Sequence, residues 1–249
     1  MTDTIAAIAT PYGSGGIGVI RISGPLALEI AACIFSRSRT APPGGAAPQS
    51  LKSHRVFHGY IREAKGEIID EVLVIPMKGP RSYTAEDVVE IQAHSGTIVL
   101  KTILDLILSQ GARLAEPGEF TKRAFLNQRI DLTQAEAVAD IINARSDRAL
   151  KFASSQNLGV LKDEIFKLRE TLIAFLAIVE VSIDFPDDEG SVSVSKKDVP
   201  ALDQVIETCR EFIRQHDDAC FLKEGIRVAI CGHPNVGKSS LMNRLLTRE

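Results

Sequence analysis

A mixed α+β region, then a run of helices, then a strand–loop–helix unit is the fold class this sequence predicts. Three observations carry it. Short period-two apolar runs broken by helical patterns fill residues 1–120. From Phe120 onward the apolar residues repeat at helical spacing. At the end, a glycine-rich loop separates a buried-strand pattern from a helix start. Period decides element type because side chains alternate faces along a strand but return every 3–4 residues along a helix.

Taken in order, residues 4–10 and Val19–Ser23 read as strands. Pro25 suits the first turn of a helix running to about Phe35, capped by Ser23 or Gly24. Residues 40–50, rich in Ala, Pro and Gly, read as a loop. Residues 55–62 and 68–75 form a hairpin pattern around a Gly-containing turn. Residues 88–94 alternate, with Val89, Ile91 and Ala93 on one side and Glu90, Gln92 and His94 on the other. A helix fits 98–109 and closes at Gly111.

Thr133 with Glu136 reads as a capping box. Leu161, Ile165, Leu168, Leu172, Phe175 and Val179 repeat at spacings of four and three, a bundle seam. Asn157 and Gly159 mark a break before that helix, and residues 185–190 end it. Val199, Leu202, Val205, Ile206, Cys209, Phe212 and Ile213 suggest a third helix. Ile226–Cys231 reads as a strand and 239–246 as a helix. The expected boundaries are residues 1–120, 121–222 and 223–249.

Bulk properties exclude several classes. The chain has 249 residues, 45% hydrophobic and 24% charged, an ordinary globular balance that suits one to two domains. Net charge is −3, so no basic stripe announces a polyanion partner, and any RNA contact is local or shared. Cys33, Cys209, Cys220 and Cys231 contain no C-x-x-C pair, against zinc or thioredoxin-like chemistry. There is no basic n-region or apolar h-region at the N-terminus, and no apolar run reaches the ~18 residues of a membrane span. A cytoplasmic location without membrane contact is the expectation.

Residues 232–239, Gly-His-Pro-Asn-Val-Gly-Lys-Ser, match G-x-x-x-x-G-K-[ST] between a strand pattern and a helix pattern. Glycines let backbone N–H groups wrap phosphate oxygens, and a helix N-terminus adds free donors. Lys238 suits the β and γ phosphates, and the Ser239 hydroxyl suits Mg²⁺. The loop alone shows an NTP phosphate site. Residues 13–18 spell G-x-G-x-x-G, but a strand pattern follows and Cys33-Ile34-Phe35 stand where a Rossmann site needs an acid. Dinucleotide binding is not expected there. Asp187-Asp188-Glu189-Gly190 has the letters D-x-x-G but precedes the loop and ends a helix, so it is not read as a nucleotide motif.

The chain resembles the MnmE/TrmE family of tRNA-modifying GTPases over essentially its whole length. Residues 9–11, 15–18 and 21–24 (Ala-Thr-Pro, Gly-Gly-Ile-Gly, Arg-Ile-Ser-Gly) look like the family's opening. Residues 82–90, Ser-Tyr-Thr-Ala-Glu-Asp-Val-Val-Glu, are similar to its S-Y-T-G-E-D-V-V-E. Residues 117–127 resemble P-G-E-F-T-x-R-A-F-L-N; residues 131–137 and 183–186 also match. Residues 232–243 look like the G-x-P-N-x-G-K-S-S-L-x-N of Era- and MnmE-type GTPases. Ala85 stands where the family commonly has glycine, and Arg129 where lysine often occurs.

The resemblance implies an α+β folate-binding and dimerisation domain, an all-α helical domain, and the first strand, P-loop and helix of an α/β GTPase domain. It implies that Arg21, Glu90 and Arg129 contact a tetrahydrofolate derivative, 5,10-methylene- or 5-formyl-. It places GTP on Asn235, Val236, Gly237, Lys238, Ser239 and Ser240, with Mg²⁺ at Ser239 and K⁺ held with help from Asn235. The implied activity is C5 modification of wobble uridine in tRNA, by a homodimer acting with the flavoprotein MnmG (GidA). The Walker-B acid, the guanine-reading N-K-x-D and the family's C-terminal cysteine motif do not occur, so the 249 residues alone are expected not to turn over GTP. Two other readings stand beside this one, a non-catalytic dimeric folate-binding scaffold and an Era-like GTPase switch.

Overall fold

A computed structural model describes residues 3–11, 13, 15–40, 51–63, 66–184, 199–224 and 228–246. They fall into two compact units, Met1–Val138 and Ala139–Glu249.

The first unit is built on a mixed seven-stranded sheet ordered β3-β4-β5-β6-β2-β1-β7. The strands are β1 (Ile5–Ile8), β2 (Ile17–Ser23), β3 (Phe35–Ser36), β4 (Phe57–Arg62), β5 (Ile68–Met77), β6 (Val88–His94) and β7 (Arg113–Leu114). All neighbours are antiparallel except β1 with β7, which run parallel. Helices α1 (Ala27–Ile34) and α2 (Thr97–Ser109) pack on one sheet face. Ile20, Ile22, Ile61, Val74, Val89 and Ile91 meet Ile30, Ile34, Ile103 and Ile107 in one core. The expected alternation in β6 holds: Val89, Ile91 and Ala93 are buried, while Glu90, Gln92 and His94 face outward. Gly18 shows how closely α2 approaches, since a Cβ there would sit 2.5 Å from Leu100 Cδ1.

The structure departs from the sequence reading at the ends of α1. Pro25 and Leu26 precede the helix, and Phe35-Ser36 leave it to pair with Tyr60-Ile61 of β4. Phe35 is fully buried, so pairing at the sheet edge takes a residue that helical spacing had assigned to α1. β7 was not anticipated either; a two-residue strand carries too little pattern to read. The G-x-G-x-x-G run leads into a strand as expected, with β2 starting at Ile17. The hairpin turn closes through Glu63 N–H to Glu67 O and Gly66 N–H to Glu63 O.

Helix α3 (Glu119–Leu126) follows, then α4 (Leu132–Asn143), which crosses the boundary between the units. The capping box of α4 lies two residues ahead of the expected Thr133 and Glu136. Asp131 Oδ1 accepts from Gln134 N–H at 2.9 Å, and Gln134 Oε1 accepts from Asp131 N–H at 3.1 Å. Asp131-Leu132-Thr133-Gln134 satisfies the same reciprocal geometry, and Asp caps at least as well as Thr.

In the second unit α5 (Asp147–Asn157), α6 (Val160–Asp184) and α7 (Val199–Glu224) pack together, with Ala153 and Val205 buried. The break at Asn157 and Gly159 is present, Gly159 adopting φ 89°. The seam on α6 is only partly covered. Leu161, Leu168, Phe175 and Val179 are half-buried, but Ile165 and Leu172 remain exposed along an apolar groove with Ile173 and Leu176. Helical spacing aligns such residues on one stripe, but burial needs a facing element. Val228–Cys231 form no strand among the described residues, since a strand needs a ladder partner. Ile226, Arg227, residues 41–50 and 185–190 lie outside the described residues.

What fastens α3 to the sheet is ionic. Arg123 has no solvent exposure. It donates to Asp3 O (2.9 Å), Asp3 Oδ1 (2.9 Å), Glu86 Oε2 (3.2 Å) and Glu119 Oε1 (3.2 Å). Arg113, on β7, donates Nη1–H to Glu119 Oε2 (2.9 Å) and Nη2–H to Oε1 (2.5 Å). Hydrogen bonding to the Arg113 guanidinium holds the Glu119 carboxyl at a pKa of about 2, against an ordinary 4.5. A carboxylate whose folded pKa is depressed stabilises the fold fully above its unfolded pKa and loses that contribution as pH falls through the folded value. Unfolding free energy should therefore decline between pH 4.5 and about 2. In Glu119→Gln the decline should be shallower. Urea titrations at several pH values over that window check both slopes.

Candidate functional sites

The open face of the first unit's sheet carries one cluster that the register itself assembles. Arg21 on β2 lies directly opposite Glu90 on β6. Cross-strand partners of opposite charge interact when they share a face. Arg21 Nε–H donates to Glu90 Oε1 at 2.9 Å, and Nη2 approaches the same oxygen at 2.7 Å. Both side chains keep about a fifth of their surface exposed, 23% for Arg21 and 20% for Glu90. Glu90 Oε2 takes no hydrogen bond among the described residues.

Tyr83 sits at the centre of this cluster. The Arg21 guanidinium lies 4.8 Å from its ring centroid and 5.6 Å from that of Phe120. The Arg129 guanidinium lies 5.2 Å from the Tyr83 centroid. Each such contact is worth about 0.5–1 kcal/mol when exposed. The Tyr83 hydroxyl is 2.9 Å from Thr121 Oγ1, and Asn127 Nδ2–H donates to Thr84 O at 2.7 Å. Arg129 is exposed and forms no ion pair among the described residues, and its N–H is anchored to Ala124 O at 2.9 Å. The structure thus brings Arg21 and Arg129 to one aromatic ring, with Glu90 joined to the cluster through its ion pair with Arg21.

Such a cluster can bind a flat conjugated molecule. The rings supply stacking surface, Glu90 Oε2 an acceptor, and Arg129 a cation for an anionic group. Sequence reasoning missed Tyr83, Phe120, Thr121 and Asn127. All four lie inside residues 82–90 and 117–127, but nothing in the string says that their side chains converge.

In the second unit the loop at 232–239 is shaped by two residues with left-handed backbone. Asn235 adopts φ 63° and Gly237 φ 89°, the latter as N-cap of α8 (Lys238–Leu245). The first helical hydrogen bond is Leu241 N–H to Gly237 O, at 2.9 Å. The N–H groups of Lys238, Ser239 and Ser240 are therefore left over from the helix, the arrangement that receives phosphate oxygens. Lys238 Nζ folds back to donate to Gly232 O (3.1 Å) and His233 O (2.7 Å). Asn235, Val236, Ser239 and Ser240 are exposed. Among the described residues no group of three His, Cys, Asp or Glu side chains could hold a metal, and no helix is long and apolar enough to cross a membrane.

A mixed sheet bearing this cluster, followed by packed helices and a phosphate-binding type of loop, defines a two-part class. The family model described as GTP-binding protein TrmE N-terminus matches residues 4–129, and the model of the MnmE helical domain matches 132–244. Among curated relatives, the tRNA modification GTPase MnmE of Carboxydothermus hydrogenoformans is 47% identical over 250 aligned positions, covering 100% of this chain and 53% of the relative. That of Geotalea uraniireducens is 46% identical, covering 98% of this chain and 52% of the relative. That of Moorella thermoacetica is 47% identical, covering 100% and 53%. The chain belongs to the MnmE family of tRNA modification GTPases, and it spans about half the length of the curated relatives it matches.

Where the motif at 82–90 resembles the family pattern with glycine, this chain has Ala85, and its φ is 61°. Left-handed backbone crowds a Cβ against the following carbonyl, at a cost of roughly 1–2 kcal/mol, and glycine escapes that crowding. Ala85→Gly should raise unfolding free energy by about 1 kcal/mol, less whatever the unfolded chain gains in freedom. Urea unfolding of the two proteins at neutral pH measures it.

Proposed function

We propose that this chain is the folate-binding and helical portion of a GTPase that modifies C5 of the wobble uridine in tRNA. The observation that carries the reading is the approach of Arg21 and Arg129 to the Tyr83 ring, with Glu90 paired to Arg21. A tetrahydrofolate derivative has a flat heterocycle with an amino and an oxo edge, and an anionic glutamate tail. Tyr83 and Phe120 offer the stacking surface. Glu90 accepts from the amino edge, and Arg129 and Arg21 take oxygens. Bound there, the folate supplies the one-carbon unit.

The loop at 232–239 receives GTP. Its N–H groups at 238–240, left over from the helix, face the phosphates, Lys238 swings from Gly232 O and His233 O to phosphate oxygens, and the Ser239 hydroxyl holds Mg²⁺. Asn235 offers its amide oxygen to K⁺. The open groove on α6 receives a returning helical segment of the whole protein, since an apolar stripe of that length is stable when covered. The whole protein acts in the cytoplasm as a homodimer with the flavoprotein MnmG. An Era-like switch is disfavoured because the TrmE N-terminal model covers residues 4–129, ahead of the loop.

Two experiments test this. Isothermal calorimetry with 5-formyltetrahydrofolate should show binding to the 249-residue chain, and Glu90→Ala should weaken it roughly ten- to a hundredfold, the loss of one charged hydrogen-bond partner. Equal affinities would remove the site assignment. A chain carrying the complete nucleotide domain should hydrolyse GTP faster in K⁺ than in Na⁺. Lys238→Ala should abolish most of that turnover, and Asn235→Ala should erase the K⁺ advantage. Phosphate release that is indifferent to the cation would break the Asn235 role.

A further inference from the structure

The buried ion cluster and the Tyr83 cluster share a segment of backbone, Ser82–Asp87. That loop leads into β6 and carries Tyr83, Thr84 and Glu86. Each of the three is tied elsewhere. Tyr83 reaches Thr121 of α3, and the carbonyl of Thr84 accepts from Asn127 just beyond α3. Glu86 Oε2 accepts from Ser23 Oγ at 2.7 Å, while both its oxygens receive Arg123 Nη1, at 3.2 and 3.3 Å. Ser23 Oγ is also 2.7 Å from Thr84 Oγ1.

Two features set Arg123 apart from a generic stabilising charge. It projects from the same face of α3 as Phe120, three residues earlier, which is one wall of the Tyr83 cluster. Its neighbour Ala124, also fully buried, accepts the N–H of Arg129, so the backbone that carries the other flanking guanidinium is registered to this turn of α3. A buried guanidinium costs several kcal/mol of desolvation, and apolar packing would stabilise the junction as well. What the guanidinium adds is direction, because its N–H groups lie in one plane at fixed angles.

We propose that Arg123 is a positioning residue for the ligand site around Tyr83. Paired with Glu86, it fastens the Ser82–Asp87 loop to α3 and so fixes the spacing between Tyr83 and the two arginines that flank it. This rests on the tetrahydrofolate reading of that site, and the experiment separates the two.

The 249-residue chain and three variants are compared by 5-formyltetrahydrofolate calorimetry, thermal unfolding and amide hydrogen exchange at residues 82–87. Glu86→Gln keeps the size but turns an amide N–H toward Arg123. Arg123→Lys keeps the charge but not the planar fork. Arg62→Gln is the control. Arg62 is a second buried arginine, on β4, bonded to Gly66 O, Ser38 O and Arg39 O and remote from Tyr83 in strand order. Glu86→Gln should weaken folate binding roughly tenfold and speed exchange at 82–87, with the more conservative Arg123→Lys changing both in the same direction. Arg62→Gln should lower the melting temperature while leaving affinity and that exchange unchanged. Wild-type affinity in Glu86→Gln, or an affinity loss in Arg62→Gln in step with its stability, would overturn the positioning role. If the wild-type chain itself shows no folate affinity, the site reading falls and exchange decides alone. Faster exchange at 82–87 in Glu86→Gln then upholds the fastening, and unchanged exchange overturns it.

Discussion

The first unit depends on one guanidinium that water does not reach. Arg123 carries a full charge into a region where only fixed partners can solvate it, and losing any of those partners would take away part of that solvation. Those partners come from three places in the chain: the segment entering β1 (Asp3), the loop before β6 (Glu86) and the first turn of α3 (Glu119). Arg113 adds a second cation from β7 and draws Glu119 toward the sheet edge. Three carboxylates face two guanidiniums, and each carboxylate lies within ion-pair distance of at least one of them. With sequence separations of 120, 37 and 4 residues, the cluster forms only when the whole unit is assembled.

The sheet then supplies precision at the Tyr83 cluster. Arg21 and Glu90 meet because β2 and β6 pair in a register that places them opposite one another. A slip of one residue would send one side chain to the buried face, where Ile20, Ile22, Val89 and Ile91 are packed. The apolar face thus fixes the register, and the register fixes the polar pair. Core packing and site geometry are one constraint read from the two sides of the same strands.

The second unit follows a different logic. The loop at 232–239 owes its shape to local backbone: Gly237 at positive φ, Asn235 likewise, and a helix that starts directly after them. Asn235, Val236, Ser239 and Ser240 are exposed there, and the loop needs no distant partner to be placed. The apolar stripe on α6 is the converse case, because spacing puts Leu161, Leu168 and Leu172 in line yet says nothing of what lies against them.

Local sequence therefore determined what short-range physics can decide. Period-two alternation gave β6 and the faces of its residues, glycine marked the break before α6, and the loop motif gave an N-terminal phosphate-type cradle on α8. Motif resemblance singled out Arg21, Glu90 and Arg129 before any contact between them was visible. Only the tertiary structure decided that Phe35 leaves a helix for a strand, that Asp131 rather than Thr133 caps α4, and that Arg123 is buried. It alone set Tyr83 against both Arg21 and Arg129. The physical reason is range. Propensity and spacing act over a few residues, whereas the partner of a charge or the neighbour of a ring is chosen by strands and helices that lie tens of residues apart in the chain.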